Sequence, residues 1–137
     1  MSEETVAQKI TSLQRCVSQA RVALSTAGPD FKTNYLLQDA AVLNIIRACE
    51  TVLDLANMLI RKQRLGIPSE SRESFGILMR EQVLEQGLGD RLQKMVGFRN
   101  LAVHRYRDPD MDIVQSVIQK NLDDLLAFAK IVQPHLN

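Results

Sequence analysis

Apolar residues recur every three or four positions along most of the chain, which is the period of one helix face. The first such stretch runs from about Glu3 to Ala27. Gly28-Pro29 follows it, and a glycine that adopts a left-handed conformation before a proline is a common helix stop. The pattern therefore predicts a first helix over these residues.

A second segment, from about Asn34 to Gln63, is apolar almost all round. Such a helix is expected to be buried on most of its sides. Gly66-Ile67-Pro68 follows it and predicts its end.

Two further helices are predicted after this stop. Ser69 or Ser71 is a candidate N-cap for a short third helix, because a serine hydroxyl can accept a hydrogen bond from a first-turn amide. A break at Gly87 and Gly89 predicts that the fourth helix starts at about Asp90.

Asp108-Pro109-Asp110 closes the fourth helix and opens a fifth, in which the apolar period continues from Val114 to Val132. No stretch alternates apolar and polar residues as a strand would, and no internal repeat is present. The fold class predicted is all-α: a bundle of about five helices, four long and one short, in a single domain over residues 1–137.

Composition narrows the class of protein. Hydrophobic residues make up 45% and charged residues 24% of the 137 positions, which is typical of a globular domain. Seventeen Lys and Arg against 16 Asp and Glu leave a net charge of +1. This balance excludes a globally basic nucleic-acid binder, but it allows a local basic site.

Several kinds of site and segment are absent from the sequence. There is no phosphate-binding glycine loop, no His-Glu-x-x-His, no Gly-x-Ser-x-Gly and no acidic trio for magnesium, so we expect no metal and no cofactor. Cys16 and Cys49 lack zinc-ligand spacing. The acidic N-terminus and the lack of a long apolar run indicate a cytoplasmic protein without a membrane segment.

The stretch from residue 91 to residue 107 is locally basic. It contains five basic residues and no acidic one, and this predicts a positive site. These residues are Arg91, Lys94, Arg99, Arg105 and Arg107.

Arg99, Asn100 and His104 carry the candidate chemistry within this stretch. On a helix, Asn100 and His104 lie about 40° apart, whereas Arg99 and His104 lie about 140° apart. Arg99 and His104 can meet one ligand if the arginine wraps round, if the helix distorts, or if a second subunit completes the site. An arginine suits phosphate binding and a histidine suits proton transfer, which together fit metal-free RNA cleavage. A surface ion pair and a helix-end histidine explain the same spacing.

The second helix carries a polar stripe within about 80° of its circumference. One interpretation is a solvated edge, and the other is a wall of the functional cleft, in which Arg47 and Glu50 orient Arg99 or His104. Spacing does not separate the two. The stripe consists of Asp39, Arg47, Glu50, Asp54, Asn57 and Arg61.

The string Phe98-Arg99-Asn100-Leu101-Ala102-Val103-His104-Arg105-Tyr106 resembles the Arg-x4-His-x-Tyr signature of the HepT-like family of HEPN-domain ribonuclease toxins. The resemblance covers about residues 1 to 134. It is also carried by Leu37-Gln38-Asp39-Ala40, Arg47-Ala48-Cys49-Glu50, Leu65-Gly66-Ile67-Pro68, Ser74-Phe75 and Lys94-Met95-Val96-Gly97-Phe98.

The resemblance implies a homodimeric helical bundle with both Arg/His motifs facing a cleft between subunits. It implies a metal-independent endoribonuclease toxin with Arg99 and His104 as the catalytic pair and Asn100 as a supporting residue. It further implies a partner MntA-like nucleotidyltransferase antitoxin that adds AMP to Tyr106, a residue that by itself reads as a packed ring with a solvated hydroxyl.

Two classes of function remain at this stage. In the first, the protein is the ribonuclease, and Lys94, Arg105 and Arg107 hold the RNA backbone. In the second, it is a non-catalytic helical subunit that presents a nucleotide or substrate to a partner nucleotidyltransferase. A homodimer is also expected from apolar surface, since a bundle of this size leaves part of its second helix uncovered.

Overall fold

A computed structural model describes residues 3–104 and 109–137 of the chain. Six α-helices account for most of these residues, and no strand is found among them. They are α1 (Glu3–Ala27), α2 (Tyr35–Gln63), α3 (Ser71–Arg80), α4 (Gln86–His104), α5 (Met111–Lys120) and α6 (Leu122–Leu136). The all-α prediction is confirmed, and the structure has six helices where about five were predicted.

The boundaries of the first two helices agree with the sequence pattern. Helix α1 ends at Ala27, and Gly28 takes the left-handed conformation (φ +54°) before a short 3-10 turn over Gly28–Asp30. The side chain of Asn34 accepts a hydrogen bond from the amide of Leu37 and so caps α2. At the other end of α2 the left-handed residue is Arg64 (φ 55°), ahead of the Gly66 that the sequence suggested.

Helix α3 begins differently from the prediction. Its N-cap residue is Glu70, whose side chain makes no capping hydrogen bond, and Ser71 is already the first helical residue. Ser69 instead donates from its amide and its hydroxyl to the carboxylate of Glu73. The carboxylate of Glu73 therefore links Ser69 to the first turn of α3. This resembles the part of a capping box in which an acidic side chain accepts a hydrogen bond from a backbone amide before the helix.

Helix α4 begins at Gln86, four residues before the predicted start at Asp90. Gly87 and Gly89 lie inside its first turn. Gly89 is buried against the side chain of Met79 from α3, so a larger residue would require that side chain to move. The glycine serves close helix packing instead of marking a break.

The predicted fifth helix is two helices, which meet at Asn121 (φ −111°). The apolar period runs through the bend without interruption, since residues on both sides of it face the core. Val117, Ile118, Leu122 and Leu125 are all buried.

The buried apolar side chains form one cluster, to which every α-helix contributes. Helix α2 lies at its centre and contacts all five other helices. Phe75 of α3 meets Phe128 of α6 edge to face, with the ring centroids 5.5 Å apart. Within the described residues, no helix has both the length and the apolar content needed to cross a bilayer.

Candidate active site

Arg99 lies on the core-facing side of α4, directed towards α2. Met95 and Val96, four and three residues earlier, are buried, and the helical period continues their buried stripe to Arg99. The arginine side chain is consequently only 22% exposed. The sequence thus places a permanent positive charge at the edge of the core, where a partner is needed to offset its desolvation.

Two neighbours hold the guanidinium of Arg99. Nη1 donates to Oδ1 of Asn100 at 2.7 Å, and Nη2 lies 3.5 Å from Oε1 of Glu50 on α2. Nε is buried and has no hydrogen-bond partner within the described part of the chain. The group is therefore oriented on two sides, and it retains N–H donors that a phosphate oxygen can accept from.

Glu50 is the member of the polar stripe that reaches the candidate site. Asp54 pairs with Lys9 at 3.2 Å, and Asn57 accepts a hydrogen bond from the hydroxyl of Ser74 at 2.7 Å. Arg47 is exposed and makes no ion pair among the residues described. In the single chain the stripe is thus mostly exposed, Glu50 contacts Arg99, and Arg47 is not brought to that group.

Cys49 lies beneath the same site. Its sulfur is 3.9 Å from the carbonyl oxygen of Met95, and the side chain is buried. Burial raises the pKa of the Cys49 thiol from 9.0 to about 12, against the opposing effect of the positive charge of Arg99. The thiol is therefore neutral at physiological pH and is a packing group, not a nucleophile.

The locally basic stretch contains fewer free cations than its composition suggests. Arg91 forms an ion pair with Asp124 of α6 at 3.2 Å. Lys94 is exposed and has no carboxylate partner within the described residues. Of the two, Lys94 is the one available to an anionic ligand.

A groove runs beside the site between the start of α3, the second half of α4 and the start of α5. We call it the α4 groove; its lining includes Arg72, Lys94, Asn100, Leu101 and Ile113. Its volume is about 890 Å³. Asn100 therefore borders the groove, and its amide oxygen accepts a hydrogen bond from Arg99.

Sequence reasoning did not identify Arg72. This residue is 27 positions from Arg99 in the chain, and only the packing of α3 on α4 brings it beside the motif. Gln93 of α4 donates to the carbonyl of Arg72 at 3.0 Å, and the Arg72 guanidinium lies over Gly97. The glycine at position 97 was the one local signal, since a small residue on a helix permits close approach.

His104 is the last residue of α4, and its side chain is outside the described part of the structure. The predictions for Arg105, Tyr106 and Arg107 also fall outside the described residues. Among the residues that are described, no group of three or more His, Cys, Asp or Glu side chains is arranged to hold a metal ion.

Comparison with known proteins gives consistent results. The family model described as Ribonuclease HepT-like matches residues 8–132. The mRNA nuclease HepT of Shewanella oneidensis is 39% identical over 130 residues, which are 95% of this chain and 97% of that protein.

Solved structures share the fold. The tri-AMPylated HEPN toxin of Shewanella oneidensis, in complex with MNT antitoxin, superposes with a TM-score of 0.89 at 38% identity, covering 98% of this chain and 99% of that one. YutE of Bacillus subtilis, a cytosolic protein of unknown function, has a TM-score of 0.82 at 19% identity, covering 99% and 91%. At that identity the similarity concerns the fold alone.

Proposed function

Because the chain belongs to the Ribonuclease HepT-like family, we propose that it is a metal-independent endoribonuclease and the toxin of a toxin–antitoxin pair, acting in the cytoplasm. The observation that carries the proposal is the guanidinium of Arg99, held between Glu50 and Asn100 at the edge of the core. A fixed, oriented guanidinium fits the phosphate of a strand that undergoes cleavage.

The reaction is an internal transesterification of RNA. The 2′-oxygen attacks the adjacent phosphorus, the bond from phosphorus to the 5′-oxygen breaks, and the products end in a cyclic phosphate and a 5′-hydroxyl. Arg99 binds the phosphate oxygens and stabilises the negative charge that develops on them. His104 exchanges the protons, as the base towards the 2′-hydroxyl or the acid towards the leaving oxygen.

The angle between Arg99 and His104 on α4 supports a dimer. Since the two residues lie about 140° apart on one helix, a cleft that collects residues from two copies solves the geometry. Large apolar side chains that stay exposed in the single chain support the same arrangement. On α2 and at the end of α4 these are Tyr35, Leu36, Leu43 and Val103.

Regulation by an antitoxin is the second part of the proposal. The similar Shewanella toxin is described as tri-AMPylated and in complex with MNT antitoxin. We expect an MntA-like nucleotidyltransferase to add AMP to Tyr106, which follows His104 by two residues. The added phosphates would compete with RNA for Arg99 and for the basic residues Lys94, Arg105 and Arg107.

Cleavage in the presence of a chelator tests the activity. Purified protein incubated with tRNA or mRNA in EDTA should cleave it, and His104→Ala should lower the rate by about 10²- to 10⁴-fold, as expected for a lost acid–base group. An Arg15→Gln variant, changed on the exposed face of α1, serves as the control and should cleave like the wild type.

The opposite result has a definite meaning. If several RNAs show no cleavage above the background of the His104→Ala variant, the protein is the non-catalytic partner subunit of a nucleotidyltransferase. In that case purified nucleotidyltransferase should bind the protein while RNA stays intact.

A further inference from the structure

The α4 groove has free positive charge on its lining. Arg72 and Lys94 are both exposed, and neither makes an ion pair within residues 3–104 and 109–137. Within the described residues, neither charge is thus paired with a carboxylate, in contrast to that of Arg91, which pairs with Asp124. An anionic ligand can supply the missing partner.

Glycine at position 97 determines where the Arg72 side chain lies. A Cβ atom at this position would be 2.5 Å from Nη2 of Arg72, closer than real contacts allow. Because Gly97 has no side chain, the Arg72 guanidinium can lie against the backbone of α4 along the groove. Any larger residue at position 97 would displace the charge without removing it.

The rest of the lining is mostly apolar and includes two carboxylates. Leu101 and Ile113 are 54% and 53% exposed, and Phe98, which also lines the groove, is partly buried against the core. Glu70 and Asp110 complete the rim. A bare polyanion would favour a uniformly positive surface, whereas a nucleotide combines an anionic phosphate, an apolar base face and amino groups that a carboxylate can accept from.

The groove is continuous with the candidate active site through one residue. Asn100 lines the groove, and its Oδ1 accepts the hydrogen bond from Nη1 of Arg99. A strand whose phosphate lies at Arg99 would thus have its neighbouring nucleotide at the groove. The volume of about 890 Å³ is within the range of small-molecule pockets and accommodates one nucleotide.

We propose that the α4 groove binds the nucleotide adjacent to the scissile phosphate of the RNA substrate, with Arg72 and Lys94 on its phosphate and the apolar lining against its base. This proposal rests on the proposed ribonuclease function and adds Arg72 to its binding residues. Arg72 contacts the strand outside the reacting atoms, so its effect is on affinity.

Binding of an RNA that cannot be cleaved tests the groove separately from the chemistry. The probe is a fluorescein-labelled single-stranded 12-mer of 2′-O-methyl RNA, which lacks the attacking hydroxyl, and its affinity is measured by fluorescence anisotropy. Arg72→Gln should weaken binding and make the plot of log affinity against log salt shallower by about 0.7, the expected value for one lost phosphate contact on a single strand.

A matched control and a second test variant accompany Arg72→Gln. Arg15→Gln removes the same charge from α1, a helix that makes no contact with α3 or α4 in the described part of the chain, and should leave affinity and salt dependence unchanged. Gly97→Ala keeps every charge but displaces the guanidinium, so it should weaken binding while the melting temperature does not fall.

The apolar lining has its own pair of variants. Ile113→Ser should weaken binding by about tenfold, comparable to the loss of a methylene-sized contact in a pocket. Val22→Ser on α1, where the side chain is 58% exposed, should leave binding unchanged.

The outcomes separate the groove from the nuclease. If Arg72→Gln and Ile113→Ser bind the probe as tightly as wild type while wild type cleaves RNA, the groove proposal is overturned and the ribonuclease stands. If both variants bind more weakly but no RNA is cleaved, the groove is supported as an RNA-binding site, while the nuclease and the position next to a scissile phosphate are overturned. Conversion of Ile113→Ser to a monomer by light scattering would assign the groove to a second copy of the chain and overturn the proposal.

Discussion

Glu50 of α2 and Arg99 of α4 form an ion pair across two helices, with Oε1 and Nη2 3.5 Å apart. The pair is half solvated, because the side chain of Glu50 is 49% exposed and that of Arg99 is 22% exposed. Such a pair contributes about 1 kcal/mol or less to the free energy of unfolding. Its main consequence is orientation, since Glu50 and Asn100 together fix the plane of the guanidinium.

Replacement of Glu50 should therefore affect activity more than stability. We expect Glu50→Ala to lower kcat/KM for RNA cleavage by about tenfold, because a misplaced group loses its alignment with the phosphate. Glu50→Gln keeps an acceptor oxygen and should recover part of the rate. Urea unfolding should change by about 1 kcal/mol or less in both variants.

Asp54→Asn is the matched control for Glu50. Asp54 is one helical turn further along α2 and pairs with Lys9, not with Arg99. The Asp54→Asn variant should cleave RNA like the wild type. Equal losses in the Asp54 and Glu50 variants would indicate a general effect of charge on α2 and would contradict the orienting role.

The buried thiol of Cys49 should make stability fall at high pH. Its pKa is raised from 9.0 to about 12, so the folded chain holds the proton more tightly than the unfolded chain does. The resulting contribution is complete below about pH 9 and is lost as the pH rises towards about 12. Urea unfolding at a series of pH values should decline less steeply across this window in Cys49→Ala than in wild type; parallel declines would show that the thiol plays no part.

Two exposed leucines on α2 provide a test of the dimer. Leu36 and Leu43 are 80% and 46% exposed and lie about 20° apart on the helix, seven residues from each other. We expect wild type to have about twice the 15.5 kDa mass of the chain by light scattering, and Leu36→Asp combined with Leu43→Asp to have the mass of one chain.

The control for this experiment is Val22→Asp on α1, also an exposed apolar position. It should remain dimeric. The double variant should also lose RNA cleavage if the cleft is formed by two copies. A dimer that survives both aspartates would move the interface to another surface.

Modification of Tyr106 can be measured directly. After incubation with the cognate nucleotidyltransferase and ATP, mass spectrometry should detect added AMP on wild type and none on Tyr106→Phe. The Phe variant should still cleave RNA and should escape neutralisation, because it lacks the hydroxyl that accepts the phosphate. Equal modification of the two proteins would assign the acceptor to another residue.

The local pattern of apolar residues, caps and helix stops predicts most of the fold. The bounds of α1 follow from the apolar period and from Gly28-Pro29, and the extent of α2 follows from Asn34 and Gln63, because caps and helix stops act over a few neighbouring residues. The bend at Asn121 was missed because the apolar period is the same on both sides of it. Gly89 was wrongly predicted to mark a break before α4, because the glycine packs against Met79, a residue of another helix.

The candidate site was likewise predicted only in part from the sequence. From the sequence alone, Arg99, Asn100 and His104 are candidate site residues, because their types and spacing within one helix match the Arg-x4-His-x-Tyr signature. Only the tertiary structure directed Glu50 of the α2 stripe to Arg99, while it left Arg47 exposed in the single chain. It also brought Arg72 over Gly97. The physical reason is that contacts between helices depend on how their faces pack, and the period of a single helix carries no information on which residue of another helix it will meet.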